Sequence, residues 1–205
     1  MKKKQVSIDV ISDIICPWCY IGKSRLTRAI EQVADKVEVT TRFRPFQLYP
    51  HVPKGGLPKS AFAATKKPGL GSALKEAAME EGLTFNYKDI ERIPNTLEAH
   101  RLMYFCEDAI QQNALGMALF ESYFEKAEDV ESPEILANLA KKIGLKHENI
   151  NKFLHSDDGA SIVTAEIQAL KEEGISAVPS FLINGQHLVT GLQPLRNWVR
   201  FFGRL

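Results

Sequence analysis

Two cysteines separated by two residues form the part of this sequence best suited to chemistry. They lie in the segment Cys16-Pro17-Trp18-Cys19. Two thiols at this spacing can form and break a disulfide bond, and they can also supply two ligands of a tetrahedral zinc site. Two further zinc ligands at matching spacing are missing, because Cys106 stands alone and the five histidines are scattered. The sequence therefore predicts no metal at this pair.

A helix is predicted to begin at this dithiol. Pro17 suits a first helical turn because its missing N–H would be unpaired there, and apolar residues continue at helical spacing to Val33. Cys16 then stands at the helix N-terminus, where free N–H groups and the helix dipole favour a thiolate. Cys19 follows about one turn later on the same side. We predict an exposed Cys16 that attacks and a more shielded Cys19 that resolves.

A second motif lies far along the chain, where Val178-Pro179 directly precedes a predicted strand. With the two cysteines, it makes the chain resemble the thioredoxin superfamily, in which a Val-Pro of this kind is cis and faces the CxxC. The resemblance implies that Val178 offers main-chain groups to an extended peptide substrate. A simple turn proline is the alternative interpretation of Pro179.

The closer resemblance is to the DsbA-like branch, within the group of FrnE-like and 2-hydroxychromene-2-carboxylate isomerase-like proteins. It is carried by Asp13–Gly22, Arg44–Phe46, Asn95–Leu102 and Gly174–Phe181. The resemblance implies an α/β thioredoxin fold in which Asn95, His100 and Arg101 line a cleft between two domains. Trp18 is expected to flank the site and pack on substrates, or else to be a surface aromatic residue on an ordinary turn. Asn95 could instead be a helix cap, and His100 and Arg101 could be solvated.

The remaining pattern fits this fold. Strand, helix and strand are predicted over residues 5–12, 17–34 and 37–44, and a hairpin and closing helix over 181–202. Between them, a Pro/Gly-rich linker with a short helix near 59–66 leads into a helical middle. We interpret residues 1–50 and 156–205 as a discontinuous thioredoxin-like domain, and residues 51–155 as an inserted all-helical domain.

Within the insertion, Asn95 and Glu98 form an N-x-x-E capping box after Pro94. The helix that it opens would place one apolar stripe against the core. That stripe consists of Ala99, Leu102, Met103, Cys106, Ala109 and Ile110. Cys106 is therefore predicted to be a core residue rather than a catalyst.

Composition narrows the partners of the protein. The 205 residues are 44% hydrophobic and 25% charged, with a net charge of +1, which predicts neither nucleic-acid nor membrane binding. Met1 to Lys4 start with basic residues, but Asp9 and Asp13 interrupt the apolar stretch that follows. We expect a cytosolic protein, in which a cycling disulfide is acceptable and a permanent one is unusual.

These features predict a thiol–disulfide oxidoreductase or disulfide isomerase acting on protein or peptide substrates, with no cofactor and with glutathione as a candidate redox partner. The alternative is a glutathione-dependent transferase or isomerase of the kappa-class or chromene-carboxylate type. Those proteins usually have serine at the position of Cys16 and lack the second cysteine.

One feature of this sequence departs from the superfamily. Thioredoxin-like proteins often carry a buried acid six residues before the first cysteine, where this chain has Val10.

Overall fold

The computed structural model describes residues 3–61, 70–145 and 147–204, and these ranges contain eight helices and six strands. The strands are β1 Lys4–Ser12, β2 Val37–Pro45, β3 Leu57–Pro58, β4 Arg92–Ile93, β5 Ser180–Ile183 and β6 His187–Thr190. The helices are α1 Pro17–Val33, α2 Leu70–Glu80, α3 Leu97–Tyr104, α4 Ala109–Phe124, α5 Pro133–Lys142, α6 His147–Leu154, α7 Ala160–Glu172 and α8 Leu195–Gly203. Most of the short helix predicted near 59–66 lies outside the described residues.

The main sheet has four strands in the order β2-β1-β5-β6. β1 is parallel to β2 and antiparallel to β5, and β5 is antiparallel to β6. Helix α1 connects the parallel pair, as a parallel crossover requires. The observed arrangement confirms the predicted α/β class and the succession of βαβ, helices and ββα.

The alternation of β1 divides the core between the two faces of the sheet. Val6, Ile8 and Val10 are buried in one cluster, which also contains the apolar side of α1. Ile11 points the other way and belongs to a separate cluster with Leu170 of α7. The dithiol therefore lies at the carboxyl end of the central strand, on the side of the sheet that α1 covers.

Helix α4 covers the outer edge of β2. The Gln112 side-chain oxygen accepts a hydrogen bond of 2.8 Å from the Phe43 N–H, and the Asn113 amide donates one of 2.6 Å to the Thr41 carbonyl. Gly116 allows this close packing, because a β-carbon there would lie 2.4 Å from the nearest Phe43 ring atom. Side-chain amides thus satisfy backbone groups that an edge strand would otherwise expose.

The inserted region differs in two details from the prediction. It is not all-helical, because β3 and β4 form a two-stranded antiparallel ladder. The predicted apolar stripe is also interrupted, since α3 ends at Tyr104 and α4 begins at Ala109. Ile110 is consequently 82% exposed rather than buried.

The predicted capping box at the start of α3 does not form. The Asn95 side chain accepts a hydrogen bond of 2.9 Å from the Leu97 N–H, but the Asn95 N–H donates to Glu131 instead of Glu98. Glu98 pairs with Arg101 one turn later. A longer-range carboxylate therefore replaces the local one that the sequence pattern indicated.

Contacts between α4 and β2, and between α3 and α7, join the predicted insertion to the thioredoxin-like part. The boundaries after residues 50 and 155 stay predictions. Within the ranges that the structure describes, no helix is both long enough and apolar enough to cross a membrane.

Candidate active site

The structure places Cys16 at the N-terminus of α1, immediately before Pro17 in the first helical position. The Cys16 carbonyl accepts hydrogen bonds from the N–H groups of Cys19, at 3.0 Å, and Tyr20, at 3.3 Å. The Cys16 N–H donates to the Asp13 carbonyl at 3.0 Å. These bonds fix the turn that brings both thiols to the start of the helix.

Both thiols are free and almost inaccessible. Cys19 is completely buried, and Cys16 is only 4% exposed. The expectation of an exposed Cys16 is therefore wrong in this arrangement. The reason is tertiary packing, because both side chains belong to the buried cluster that includes residues of the inserted helices.

The Val178–Pro179 segment lies beside the dithiol, and its peptide bond is cis. The Cys16 sulfur lies 3.9 Å from the Val178 carbonyl oxygen, to which the thiol donates a weak hydrogen bond. A β-carbon on Gly22 would lie 3.2 Å from Cγ of Pro179 and 3.4 Å from a ring carbon of Phe181. The glycine one turn after the dithiol thus lets α1 pack closely against Pro179.

Gly22→Ala should slow disulfide exchange about fivefold, equivalent to about 1 kcal/mol of activation free energy, because Pro179 must move by a few tenths of an ångström. Global stability should change little, since alanine also favours the helix. Exchange kinetics and denaturant melts check both effects. Gly71→Ala in α2 is the matched control, because no atom of the described residues lies within 4 Å of its added carbon. Equal kinetic effects of the two substitutions would contradict the role assigned to Gly22.

The environment of Cys19 acts on its proton in two directions. Burial raises the pKa of the Cys19 thiol well above its ordinary value, and the neighbouring Cys16 thiol raises it further. The Ser12 hydroxyl and the Asp13 backbone act in the opposite direction by favouring the thiolate. Val10 is fully buried and provides no acid here, so these two groups are the polar surroundings of the resolving thiol.

His100 is held beneath the segment that leads to the dithiol. Its Nε2 donates a hydrogen bond of 2.9 Å to the Phe46 carbonyl and lies 3.6 Å from Oδ1 of Asp13. The other Asp13 oxygen accepts a bond of 2.7 Å from the Leu48 N–H. Because His100 is 2% exposed, it connects α3 to the loops at the end of β1 and β2 rather than facing an open cleft.

Asn95 and Arg101 have the contacts of structural residues. The Arg101 guanidinium donates to the carbonyls of Phe153, Ser156 and Asp158 and is 1% exposed. The Asn95 amide donates to a carbonyl of a neighbouring loop. The structure therefore gives both residues a role in joining loops, and their role in substrate binding stays a prediction.

Two partly buried aromatic residues, Trp18 and Tyr87, pack against the buried cluster that contains both thiols. Trp18 is half-buried and packs against the core, and its contact with substrate stays a prediction. Tyr87 packs edge-on against Phe85, and its hydroxyl is buried without a hydrogen-bond partner among the described residues. Burial raises the pKa of Tyr87, and Tyr123 and Cys16 add to this rise.

No sequence motif indicated Tyr87 or Ser12. Tyr87 reaches the site through the path of the chain between α2 and β4, which local patterns do not reveal. The one signal that could have found Ser12 is the alternation of β1, because Ser12 follows Ile8 and Val10 on the same face of the strand.

Cys106 does not belong to the dithiol site. Its thiol donates a weak hydrogen bond to the Leu102 carbonyl at 3.8 Å. Burial raises the pKa of Cys106 to about 12, so it is a neutral thiol at physiological pH. Among residues 3–61, 70–145 and 147–204, no three histidine, cysteine or acidic side chains are grouped as metal ligands.

Comparison with known proteins gives one family and several relatives. A family model described as a DSBA-like thioredoxin domain matches residues 7–202. The uncharacterized protein YwbO of Bacillus subtilis (strain 168) is 24% identical over 191 residues, which cover 91% of this chain and 90% of that protein.

Solved structures with the same fold include a probable DsbA oxidoreductase from Streptomyces coelicolor. It is 26% identical, with a TM-score of 0.84 over 97% of this chain and 89% of that one. A 2-hydroxychromene-2-carboxylate isomerase is 18% identical, with a TM-score of 0.74 over 97% of this chain and 95% of that one. At 18% identity, the likeness to the isomerase shows a shared fold alone.

Proposed function

Because the chain belongs to the family of DSBA-like thioredoxin domains, we propose that it is a thiol–disulfide oxidoreductase that uses Cys16 and Cys19. The family assignment confirms the resemblance to DsbA-like proteins that the motifs predicted. The observation that carries the proposal is the position of two free thiols at the start of α1, beside Val178–Pro179. This arrangement provides a nucleophile, a resolving group and adjacent main chain for a substrate.

Exchange proceeds in two steps in this proposal. The Cys16 thiolate, at the N-terminus of α1, attacks one sulfur of a substrate disulfide and releases the other as a thiol. The Cys19 thiol then loses its proton and attacks the Cys16 sulfur, which forms the Cys16–Cys19 disulfide and frees the second substrate thiol. The same steps in reverse oxidise a dithiol substrate.

We propose the cytosol as the compartment and protein or peptide thiols and disulfides as the substrates. No cofactor is required, because the two cysteines carry both electrons. Glutathione is the proposed small redox partner. By the same exchange, its thiol form can reduce the Cys16–Cys19 disulfide and its disulfide form can oxidise the dithiol.

The second candidate is a glutathione-dependent reaction on a small molecule. It is favoured by the burial of Cys16, because a thiol that is 4% exposed is more accessible to a small reactant than to a folded protein. Cys19 distinguishes the two candidates, since only disulfide exchange requires a resolving thiol.

The proposal is tested by reduction of insulin and by reactivation of a scrambled disulfide protein, each with and without glutathione. Wild-type protein should accelerate at least one of these reactions. Cys19→Ser should remove turnover of insulin in the absence of glutathione, whose thiol can otherwise resolve the mixed disulfide in place of Cys19. Activity that requires glutathione, acts only on small electrophiles and survives Cys19→Ser would instead support the second candidate.

A further inference from the structure

The resolving thiol Cys19 needs a polar group nearby to support its thiolate, and the apolar side chain of Val10 cannot supply one. During the second step, Cys19 must carry negative charge in a place from which water is excluded. An unsupported buried thiolate is strongly disfavoured. The surroundings of Cys19 must therefore contain hydrogen-bond donors.

Ser12 is in the right place to supply one. It is the last residue of β1, two positions after Val10, so its side chain returns to the face of the sheet that α1 covers. The residue is 1% exposed, and its backbone carbonyl is fixed by a hydrogen bond of 3.0 Å from the Phe46 N–H.

The Ser12 hydroxyl is also free to act. Its oxygen is buried and makes no hydrogen bond within the usual limits to any described residue. A buried hydroxyl without a partner is costly, and a thiolate that develops beside it during the reaction would offset that cost.

We propose that the Ser12 hydroxyl and the Asp13 backbone N–H together hold the Cys19 thiolate during resolution. This inference rests on the proposed function and adds a catalytic residue to it. Both groups lower the pKa of Cys19 against the larger rise that burial causes. The titratable group that acts on Cys19 is Cys16, which carries no charge once it is joined to the substrate.

The step balances without a further reactant. The Cys19 thiolate forms a bond to the Cys16 sulfur while the bond from Cys16 to the substrate sulfur breaks, and the electron pair leaves with the substrate thiolate. The proton that Cys19 has lost is taken up by that thiolate. The dithiol is thereby oxidised and the substrate disulfide is reduced. Ser12 keeps its own proton and only donates a hydrogen bond.

The test is stopped-flow reaction of reduced protein with an aromatic disulfide whose released thiolate absorbs visible light, in a Cys106→Ala background. The first released thiolate reports attack by Cys16, and the second reports resolution by Cys19. Ser12→Ala should slow the second phase about tenfold, since one donor to the thiolate is lost, and should move its pH midpoint to higher pH. The first phase should keep its rate, and Ser12→Thr should restore the second.

Equal rates of the second phase in wild type and Ser12→Ala, at matched folding in denaturant melts, would overturn the role of Ser12. Equal slowing of both phases, or failure of threonine to rescue a folded protein, would overturn it as well by indicating a packing effect. If wild-type protein itself shows no second phase, the proposed function fails and the role of Ser12 fails with it.

Discussion

Replacing Cys16 by serine is expected to lower disulfide exchange by about three orders of magnitude or more. A serine hydroxyl is not ionised near neutral pH and cannot form a disulfide, so the helix N-terminus has no thiolate to favour. Replacing Cys19 by serine should have a different effect. Attack by Cys16 remains, but the mixed disulfide cannot be resolved and should accumulate on Cys16.

The two variants are compared by turnover and by mass analysis of trapped adducts after incubation with a peptide disulfide. We expect no adduct on the Cys16→Ser protein and one adduct per chain, on Cys16, in the Cys19→Ser protein. Cys106→Ala serves as the control, because the Cys106 thiol is hydrogen-bonded to the Leu102 carbonyl and takes no part in the proposed exchange, so turnover should be unchanged. Trapping through Cys19 in the Cys16→Ser protein would reverse the assigned roles.

A second large effect is expected from Lys23, which is buried in α1. The residue is 5% exposed, and its ammonium group donates to the Thr27 hydroxyl at 2.9 Å and lies 5.9 Å from the centre of the Phe43 ring. Among the residues that the structure describes, no carboxylate lies within 4 Å of this group. Burial lowers the pKa of Lys23 to about 8.

The folded pKa of Lys23 lies below the ordinary value of 10.5, so folding disfavours the charged form. The resulting loss of stability is complete below about pH 8, decreases as the pH rises toward 10.5, and is absent above it. From this difference in pKa, the loss is about 3 kcal/mol at neutral pH. Lys23→Met should therefore raise the free energy of unfolding by up to about 3 kcal/mol at pH 7.

Denaturant melts of wild type and Lys23→Met between pH 7 and pH 10.5 measure this effect as a difference that shrinks with rising pH. Lys75→Met on α2 is the control, because Lys75 is exposed and its replacement should change the free energy of unfolding little. A Lys23→Met protein that is less stable than wild type at pH 7 would show that the buried ammonium is satisfied in the fold.

The sequence predicted elements where local and tertiary preferences agree. In β1 the alternation matches a buried central strand, and in α1 the proline at the first position and the apolar spacing match the observed helix. The break between α3 and α4 was missed because helical periodicity continues across it. Asp108 marked the break, since its side chain caps α4 by accepting a hydrogen bond of 2.8 Å from the Gln111 N–H.

Some residues of the site could likewise be placed from the sequence, and others could not. Cys16, Cys19 and Pro179 lie in compact motifs, so their proximity could be predicted from the fold that those motifs imply. Arg101 could not be placed from its motif, because the carbonyls that bind it come from the last turn of α6 and from the segment between α6 and α7. Asn95 was similarly misplaced as a reciprocal cap, since its N–H partner is a distant carboxylate.

The covering of β2 by the amides of Gln112 and Asn113 also limits how this protein can self-associate. A strand added beside β2 would have to displace these two amides from the Thr41 carbonyl and the Phe43 N–H. This edge of the sheet is therefore a poor template for a second chain, which lowers the tendency of the protein to aggregate through β2.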